Sequence, residues 1–178
     1  MTAPSPGEIL LSAEQIQQRV AELAVEIRRD APDNLHLVAV LKGAFVFVAD
    51  LVRCLSGPVS LDFMSVSSYE SKTASSGEIR LVQDLGAPLD GRHVVIVEDI
   101  VDTGVTLVRL QQMLRARNPH TLKTACLLSK TARRQVDVTV DYVGFTIADR
   151  FVVGYGLDYA ERYRNLPHII ALREPQER

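Results

Sequence analysis

Residues 94–107 read VVIVEDIVDTGVTL, and this stretch decides the fold class. A run of apolar, mostly β-branched residues predicts a buried strand, which ends in two adjacent carboxylates, Glu98 and Asp99. A short loop of small and polar residues follows, and an amphipathic helix is predicted over 105–118. Burying two carboxylates is costly unless another group compensates their charge. The pair therefore either ends the strand in water or holds a cation or a hydroxyl-bearing ligand.

Strands and helices alternate on both sides of this stretch. Helices are predicted over 12–29 and 44–55, the first with a capping box formed by Ser12 and Gln15. Strand patterns fall at 36–43, 59–69, 80–85, 93–99, 122–130, 138–147, 150–156 and 168–172. Such alternation indicates a mostly parallel sheet. We predict an α/β fold in a single domain over 1–178, with a mostly parallel twisted sheet flanked by helices.

Three further segments complete the predicted organisation. Residues 1–8 contain two prolines and no apolar period, so we expect a loose arm. Residues 69–80 are polar and nearly free of apolar side chains, which predicts a mobile loop at the tip of a long hairpin. The last predicted strand, 168–172, is expected to close the sheet.

Composition restricts the function classes. The chain has 178 residues, of which 47% are hydrophobic and 24% charged, which suits one domain with a sizeable core. A net charge of -2 gives no global attraction to nucleic acid or to an anionic membrane, so neither partner is expected. Cys54 and Cys126 stand alone and fit a reducing compartment. With no signal peptide or long apolar run in the sequence, we expect a cytoplasmic protein.

The loop after the acidic pair has the chemistry of a phosphate site. Ligands of open α/β sheets bind at the carboxyl ends of strands, where residues 102–106, DTGVT, lie. A helix N-terminus there suits a phosphate, Thr103 and Thr106 add hydroxyl donors, and Gly104 permits close approach. Because carboxylates would repel a bare phosphate, we expect them to bind sugar hydroxyls or Mg2+. The residues therefore predict a phosphorylated sugar with a divalent metal.

The loop allows two other interpretations. A strand can simply end in solvated acids, with Asp102 and Thr103 capping the helix, but the coincidence of strand, acid pair, loop and helix favours a site. Asp-Thr-Gly also marks aspartic proteases. Those proteins are all-β and need two such motifs or a dimer, whereas this chain is predicted to be α/β.

VVIVEDIVDTGVTL also resembles the phosphoribosyl pyrophosphate (PRPP) motif of type I phosphoribosyltransferases. Three more segments, LKGAFVFVADL, SSYESKTASSGEIR and FVVGYGLDYAERYRNLPHI, resemble the hypoxanthine-guanine phosphoribosyltransferase family in the same order. The likeness covers residues 36 to 172. It implies a purine salvage enzyme with a small hood, in which a 6-oxopurine displaces pyrophosphate from PRPP in the presence of Mg2+, giving IMP or GMP.

The resemblance assigns roles around the PRPP motif. Glu98 and Asp99 would contact the ribose hydroxyls or the waters of a magnesium ion. Residues Asp102, Thr103, Gly104, Val105 and Thr106 would cradle the 5′-phosphate. Asp102 would also lie near N7 of the purine as the catalytic proton acceptor. Val105 stands where some members of the family carry lysine. The loop keeps its backbone donors and hydroxyls, so the absence of this lysine concerns only the affinity for phosphate.

The other motifs would hold the pyrophosphate and the base. Lys42 and Gly43 match a pyrophosphate loop that contains a non-proline cis peptide, and Arg164 would pair with pyrophosphate. Asp158 would bind a second Mg2+.

Purine binding would fall to a hood formed by residues 150–172. There Phe151 would stack on the base and the Val152 backbone would bind its edge. Lys130 would donate to O6, which favours a 6-oxo base over adenine. Ser68 and Tyr69 match the pair that closes the mobile loop over the site.

Several alternatives stay open on the sequence alone. Hypoxanthine, guanine and xanthine differ at C2, for which no residue is assigned. A phosphoribosyltransferase for another base is the nearest rival. A nucleotide-sensing regulator that binds RNA through Arg109, Arg115 and Arg117 is a rival from another class. The family is usually dimeric or tetrameric, so a homodimer or homotetramer is expected.

Overall fold

A six-stranded sheet of order β4-β3-β2-β5-β6-β7 forms the body of the protein. The structure is a computed structural model, and it describes residues 6–68 and 79–172. The elements in chain order are β1 (Pro6–Leu11), α1 (Ala13–Asp30), β2 (Leu35–Leu41), α2 (Phe45–Cys54), β3 (Ser60–Ser68), β4 (Ile79–Gln83), β5 (His93–Val101), α3 (Val105–Arg115), β6 (Thr121–Ser129), a 3-10 turn (Thr131–Arg133), β7 (Tyr142–Thr146), β8 (Val152–Val153) and β9 (Ile169–Leu172).

Neighbouring strands of this sheet are parallel except at one edge. β3, β2, β5, β6 and β7 pair in parallel, and β4 returns antiparallel to β3. The predicted α/β class and the predicted hairpin are confirmed. The tip of that hairpin, where a mobile loop was predicted, lies at residues 69–78, outside the described residues.

The sheet is buried on both faces because its central strands are apolar at nearly every position. One face packs against α1 and α2 through alternate residues such as Leu37 and Val95. The opposite face packs against α3 through the residues between them, such as Val38 and Ile96. Strands covered on both sides read as continuous apolar runs, as parallel strands in α/β proteins do. Of the described helices, none is long and apolar enough to cross a membrane.

A second, three-stranded sheet of order β1-β9-β8 was not predicted. The predicted closing strand, β9, pairs antiparallel with β1 and β8 instead of joining the main sheet. Residues 6–8 accordingly begin β1 and are not part of a loose arm. Only two residues of the segment 150–156 form a strand. This small sheet is the structural counterpart of the predicted hood.

One predicted strand is shorter than expected for a reason that concerns the site. β7 begins at Tyr142, not at residue 138. The chain before it turns towards the loop after β5, where the Gln135 amide donates to the Thr103 carbonyl at 3.0 Å. Val138 packs there in the apolar cluster under α3.

A buried glutamine anchors α3 over the sheet. The Gln111 amide nitrogen donates to the Thr124 hydroxyl and to the Thr139 carbonyl, both at 2.9 Å.

We expect Gln111→Ala to lower the free energy of unfolding by about 1–3 kcal/mol, because the buried partners lose their donor. Urea unfolding measures this change. Gln112→Ala, on the exposed face of the same helix, is the control. Equal effects of the two substitutions would contradict the anchoring role.

Candidate active site

Three of the predicted site residues lie at the carboxyl ends of three adjacent parallel strands. Lys42, Asp102 and Lys130 directly follow β2, β5 and β6. The Lys130 amide donates to the Val101 carbonyl at 3.0 Å, which ties two of these strand ends together. The edge at which open α/β sheets bind ligands therefore carries the residues predicted to bind one.

The loop after β5 is built as a cradle. Gly104 has a left-handed backbone with φ of 85° and precedes α3 without a side-chain cap of its own, and the Thr103 hydroxyl accepts from the Val105 amide at the start of the helix, at 3.5 Å. A side chain at Gly104 would bring its Cβ within 2.8 Å of the Val138 methyl group. A cavity of about 120 Å³ opens here, lined by Glu98, Ile100, Val101, Asp102, Thr103, Gly104, Thr106 and Leu107. The helix N-terminus faces this cavity and favours an anion.

Two carboxylates beside this cradle form no ion pair with any described residue. Burial, and secondly the neighbouring Asp99, raises the pKa of Glu98 well above its usual range. Burial likewise raises the pKa of Asp99 to about 6, although the Ile100 amide donates to it at 2.8 Å. Within residues 6–68 and 79–172, neither carboxylate forms an ion pair, in contrast to Asp102 and Asp158. The site is short of positive charge at this point.

Glu98 and Asp99 are therefore the residues that could hold a divalent cation. No group of three or more metal-ligating side chains exists in the described part of the chain. Mg2+ commonly uses one or two carboxylates and completes its shell with waters and substrate oxygens. Two adjacent carboxylates with no ion-pair partner in the described part of the chain fit that mode of binding.

The predicted pyrophosphate loop lies against the same acid pair. The non-proline cis peptide joins Leu41 to Lys42, one residue before the expected Lys42–Gly43 pair. A Cβ at Gly43 would overlap the Asp99 carboxylate, so a larger residue there would have to displace this side chain. The Lys42 ammonium pairs with both oxygens of Glu161, at 3.2 and 3.1 Å.

Asp158 and Arg164 also lie together on this side of the site. Arg164 pairs with Asp158 at 2.7 Å and with Glu161 at 3.4 Å. The other Asp158 oxygen accepts from the Glu161 amide at 2.9 Å. Both oxygens of Asp158 are therefore engaged, so a metal there would have to compete with Arg164. The electrostatic influence of Arg164 and Asp158 on the pKa of Asp99 connects this group to the acid pair.

Three of the residues predicted to bind the base, Lys130, Phe151 and Val152, differ in their exposure. The Lys130 side chain is buried, and its ammonium lies 3.5 Å from Asp149. The Phe151 ring is 53% exposed and meets Tyr159 edge to face at 5.7 Å, which leaves aromatic surface for stacking. Val152 is buried in β8, where its backbone pairs with Ala171.

The two oxygens of Asp102 have different surroundings. Oδ2 lies 3.4 Å from the Arg133 guanidinium, whereas Oδ1 is buried without a hydrogen-bond partner in the described residues. Arg134 donates to the main-chain carbonyl of Asp102 at 3.0 Å and to the Ser129 hydroxyl at 2.9 Å. The unpaired oxygen beside the cavity is free to accept a proton or a hydrogen bond.

Three charged partners of the site were missed by the sequence analysis, namely Glu161, Arg133 and Asp149. Glu161 and Arg133 each stand three residues after a predicted site residue in a tight turn, and that spacing was the available signal. Of the predicted lid pair, Ser68 ends β3, and Tyr69 lies outside the described residues.

Comparison with known proteins places this site in a family. The family model of the phosphoribosyl transferase domain matches residues 7–160. Hypoxanthine-guanine phosphoribosyltransferases of Dictyostelium discoideum and Bacillus subtilis are 49% and 46% identical to the chain. The alignments cover 94% of this chain and 96% of the first protein, and 93% of both this chain and the second.

Solved structures agree with these relatives. A crystal structure of a hypoxanthine-guanine phosphoribosyltransferase from Bacillus anthracis superposes with a TM-score of 0.90 at 46% identity, covering 94% of this chain and 99% of that one. The chain belongs to the phosphoribosyltransferase family. Its similarity to the hypoxanthine-guanine members, expected from four motifs, is confirmed.

Gly43→Ala should disable the site without unfolding the protein. The added methyl group would displace the Asp99 carboxylate. Because misplacing a catalytic group by about 1 Å can cost roughly 10²-fold in rate, we expect a loss of that order in phosphoribosyl transfer. Gly86→Ala is the matched control, since its Cβ would lie at an ordinary 3.7 Å from Asp62. Similar rates for both variants would refute the contact.

Asp99→Asn should stabilise the metal-free protein at alkaline pH. Since the pKa of Asp99 rises from 3.8 to about 6 on folding, wild-type stability falls as the pH rises through this range. Asn carries no charge, so we expect the variant to gain on the order of 1 kcal/mol at about pH 8 and nothing near pH 4, measured by urea unfolding.

Asp84→Asn is the control of opposite sign. The Leu85 amide, and secondly Arg117, lowers the pKa of Asp84, so that carboxylate stabilises the fold when it is ionised. We therefore expect Asp84→Asn to lose stability where Asp99→Asn gains it. An Asp99→Asn variant less stable than wild type at alkaline pH would contradict the account of the acid pair.

Proposed function

We propose that this protein is a purine salvage enzyme that transfers the 5-phosphoribosyl group of PRPP to N9 of hypoxanthine or guanine, giving IMP or GMP and pyrophosphate. The observation that carries the proposal is an acid pair that forms no ion pair with the described residues, beside an anion cradle at the sheet edge that also carries a buried lysine. Mg2+ would pair with the acid pair, the phosphate of PRPP would fill the anion cradle, and O6 of a 6-oxopurine would accept from the lysine.

PRPP would occupy the centre of the site. Residues 102–106 would hold its 5′-phosphate at the start of α3, and Glu98 and Asp99 would bind the ribose hydroxyls or the hydrated cation. Its pyrophosphate would lie against Lys42, the Gly43 backbone and Arg164, where Glu161 now pairs with both cations. When bound, Mg2+ offsets the negative charge on PRPP and on the departing pyrophosphate. A second ion at Asp158 would have to displace Arg164.

The base would lie between Phe151 and the end of β6. Phe151 would stack on the purine, the Val152 backbone would bind its edge, and Lys130 would donate to O6. A bond then forms between N9 and C1′ as the bond from C1′ to pyrophosphate breaks. The proton that the base gives up would pass from N7 to Asp102, whose Oδ1 has no other partner in the described residues.

Other parts of the proposal concern the lid and the assembly. Ser68 and Tyr69 would close the 69–80 loop over the site, because water would otherwise trap the oxocarbenium-like transition state as ribose phosphate.

We further propose a single-domain cytoplasmic enzyme that forms a homodimer or homotetramer. Light scattering at several concentrations would test the assembly, and a monomer throughout would contradict it.

The reaction is tested with a panel of bases. Nucleotide formation from PRPP and Mg2+ is measured with hypoxanthine, guanine, xanthine, adenine and uracil in parallel. We expect turnover with hypoxanthine or guanine, its loss on adding a chelator, and no use of adenine, since Lys130 donates but cannot accept from an amino group. Exclusive use of xanthine or a pyrimidine would replace the proposed base. Salt-sensitive RNA binding without turnover would favour the regulator.

Asp102→Asn should slow turnover far more than it weakens PRPP binding. The amide keeps the shape of the side chain but cannot take up the proton, and general-base catalysis contributes typically about 10²–10⁴-fold. Steady-state kinetics gives kcat, and titration calorimetry gives the PRPP affinity. Equal losses in both would argue against the proton-transfer role of Asp102.

A further inference from the structure

Four side chains of alternating charge lie in a row on the base side of the site. The Lys130 ammonium is 3.5 Å from Asp149, Asp149 is 3.8 Å from the Arg133 guanidinium, and Arg133 is 3.4 Å from Asp102. This charge row, Lys130–Asp149–Arg133–Asp102, joins the proposed O6 donor to the proposed proton acceptor. Neither Asp149 nor Arg133 has a role in the function proposed above.

The local structure explains how the charge row forms. Lys130 follows β6 and precedes a single 3-10 turn, in which residues three apart stack on one face. Arg133 therefore projects on the same side as Lys130. Asp149 follows β7, and Asp102 follows β5, the strands on either side of β6. The row therefore bridges three neighbouring strand ends.

Arg133 contacts the carboxylate of Asp102, which no other described side chain pairs with. Arg134 binds the main-chain carbonyl of Asp102, and among the described residues Arg133 alone pairs with its carboxylate. With Oδ2 so engaged, the buried Oδ1 remains for the substrate. The pairing fixes which oxygen of Asp102 meets the base.

The charge row matters little for stability. The Arg133 and Asp149 side chains are 48% and 51% exposed, and ion pairs of that exposure are weak. A substitution there should consequently leave the melting temperature nearly unchanged. Any large kinetic effect must then come from the position of the groups at its two ends.

We propose that Arg133 is a positioning residue for Asp102, and that Asp149 couples it to Lys130. O6 and N7 are neighbouring atoms on one edge of a 6-oxopurine, so the groups that meet them must keep one spacing. The charge row would set that spacing. This inference rests on the proposed function and adds to it two residues that determine how the base is held.

The test is a double-mutant cycle with Arg133→Met, Asp149→Asn and the double variant, assayed with hypoxanthine and guanine. We expect each single substitution to lower kcat/KM for the base by about tenfold, because small displacements of reacting groups are costly. The KM for PRPP should stay unchanged. The double variant should lose little more than the worse single variant, since both break the same row. Arg133→Lys, which keeps the charge, should recover most of the rate.

A matched control separates this role from a general loss of surface charge. Arg53 pairs with Asp50 at 3.6 Å within α2, away from the strand ends of the site, so Arg53→Met should behave like wild type. The inference is overturned if Arg133→Met keeps wild-type kinetics, if it raises the KM for PRPP as much as that for the base, or if the two single effects multiply. A wild-type protein without turnover would overturn the proposed function, and the inference with it.

Discussion

The site depends on two adjacent carboxylates that form no ion pair with any cationic side chain in residues 6–68 and 79–172. Glu98 and Asp99 lie in the last half of β5, directly after a run of buried apolar residues, and their raised pKa values mean that ionising them in the folded protein is unfavourable. Natural proteins keep such unpaired buried charges mainly where a ligand completes them. The ionised acid pair therefore destabilises the ligand-free protein and favours the binding of a cation and of sugar hydroxyls.

Two groups of charged side chains lie at the same edge of the sheet as this pair. In the first group, Glu161 forms ion pairs with both Lys42 and Arg164. A more highly charged anion such as pyrophosphate would compete with Glu161 for these two cations. At the ends of β5, β6 and β7, the charge row connects Lys130 to Asp102 through Asp149 and Arg133. Glycine at position 43 lets the first group approach the acid pair closely. In the proposed reaction, the first group would hold the leaving pyrophosphate, and the charge row would hold the attacking base.

Much of this could be predicted from sequence, because the informative signals were local. The apolar run before Glu98, the small residues after it and the helical period that follows specify a strand, a loop and a helix within fourteen residues of chain. Lys42 and Lys130 were found because each ends a strand, and strand ends are visible in an apolar pattern. Their roles came from the family resemblance.

The features that were missed depend on contacts between distant segments. β9 carries the same apolar pattern as a strand of the main sheet, and only its pairing with β1, some 160 residues earlier in the chain, assigns it to the second sheet. Arg133 and Asp149 look like solvated surface charges, and they gain meaning from a 3-10 turn and from the order of β5, β6 and β7. Register and strand order are not encoded in any short window.

The most direct test of the central claim is the proton balance of ligand binding. Titration calorimetry of PRPP, with and without Mg2+, in buffers of different ionisation enthalpy gives the number of protons released. We expect tight binding only with Mg2+ and, at about pH 6, proton release that is reduced in Asp99→Asn, because the cation displaces protons from the acid pair. PRPP binding that is independent of Mg2+ and releases no protons would contradict the account.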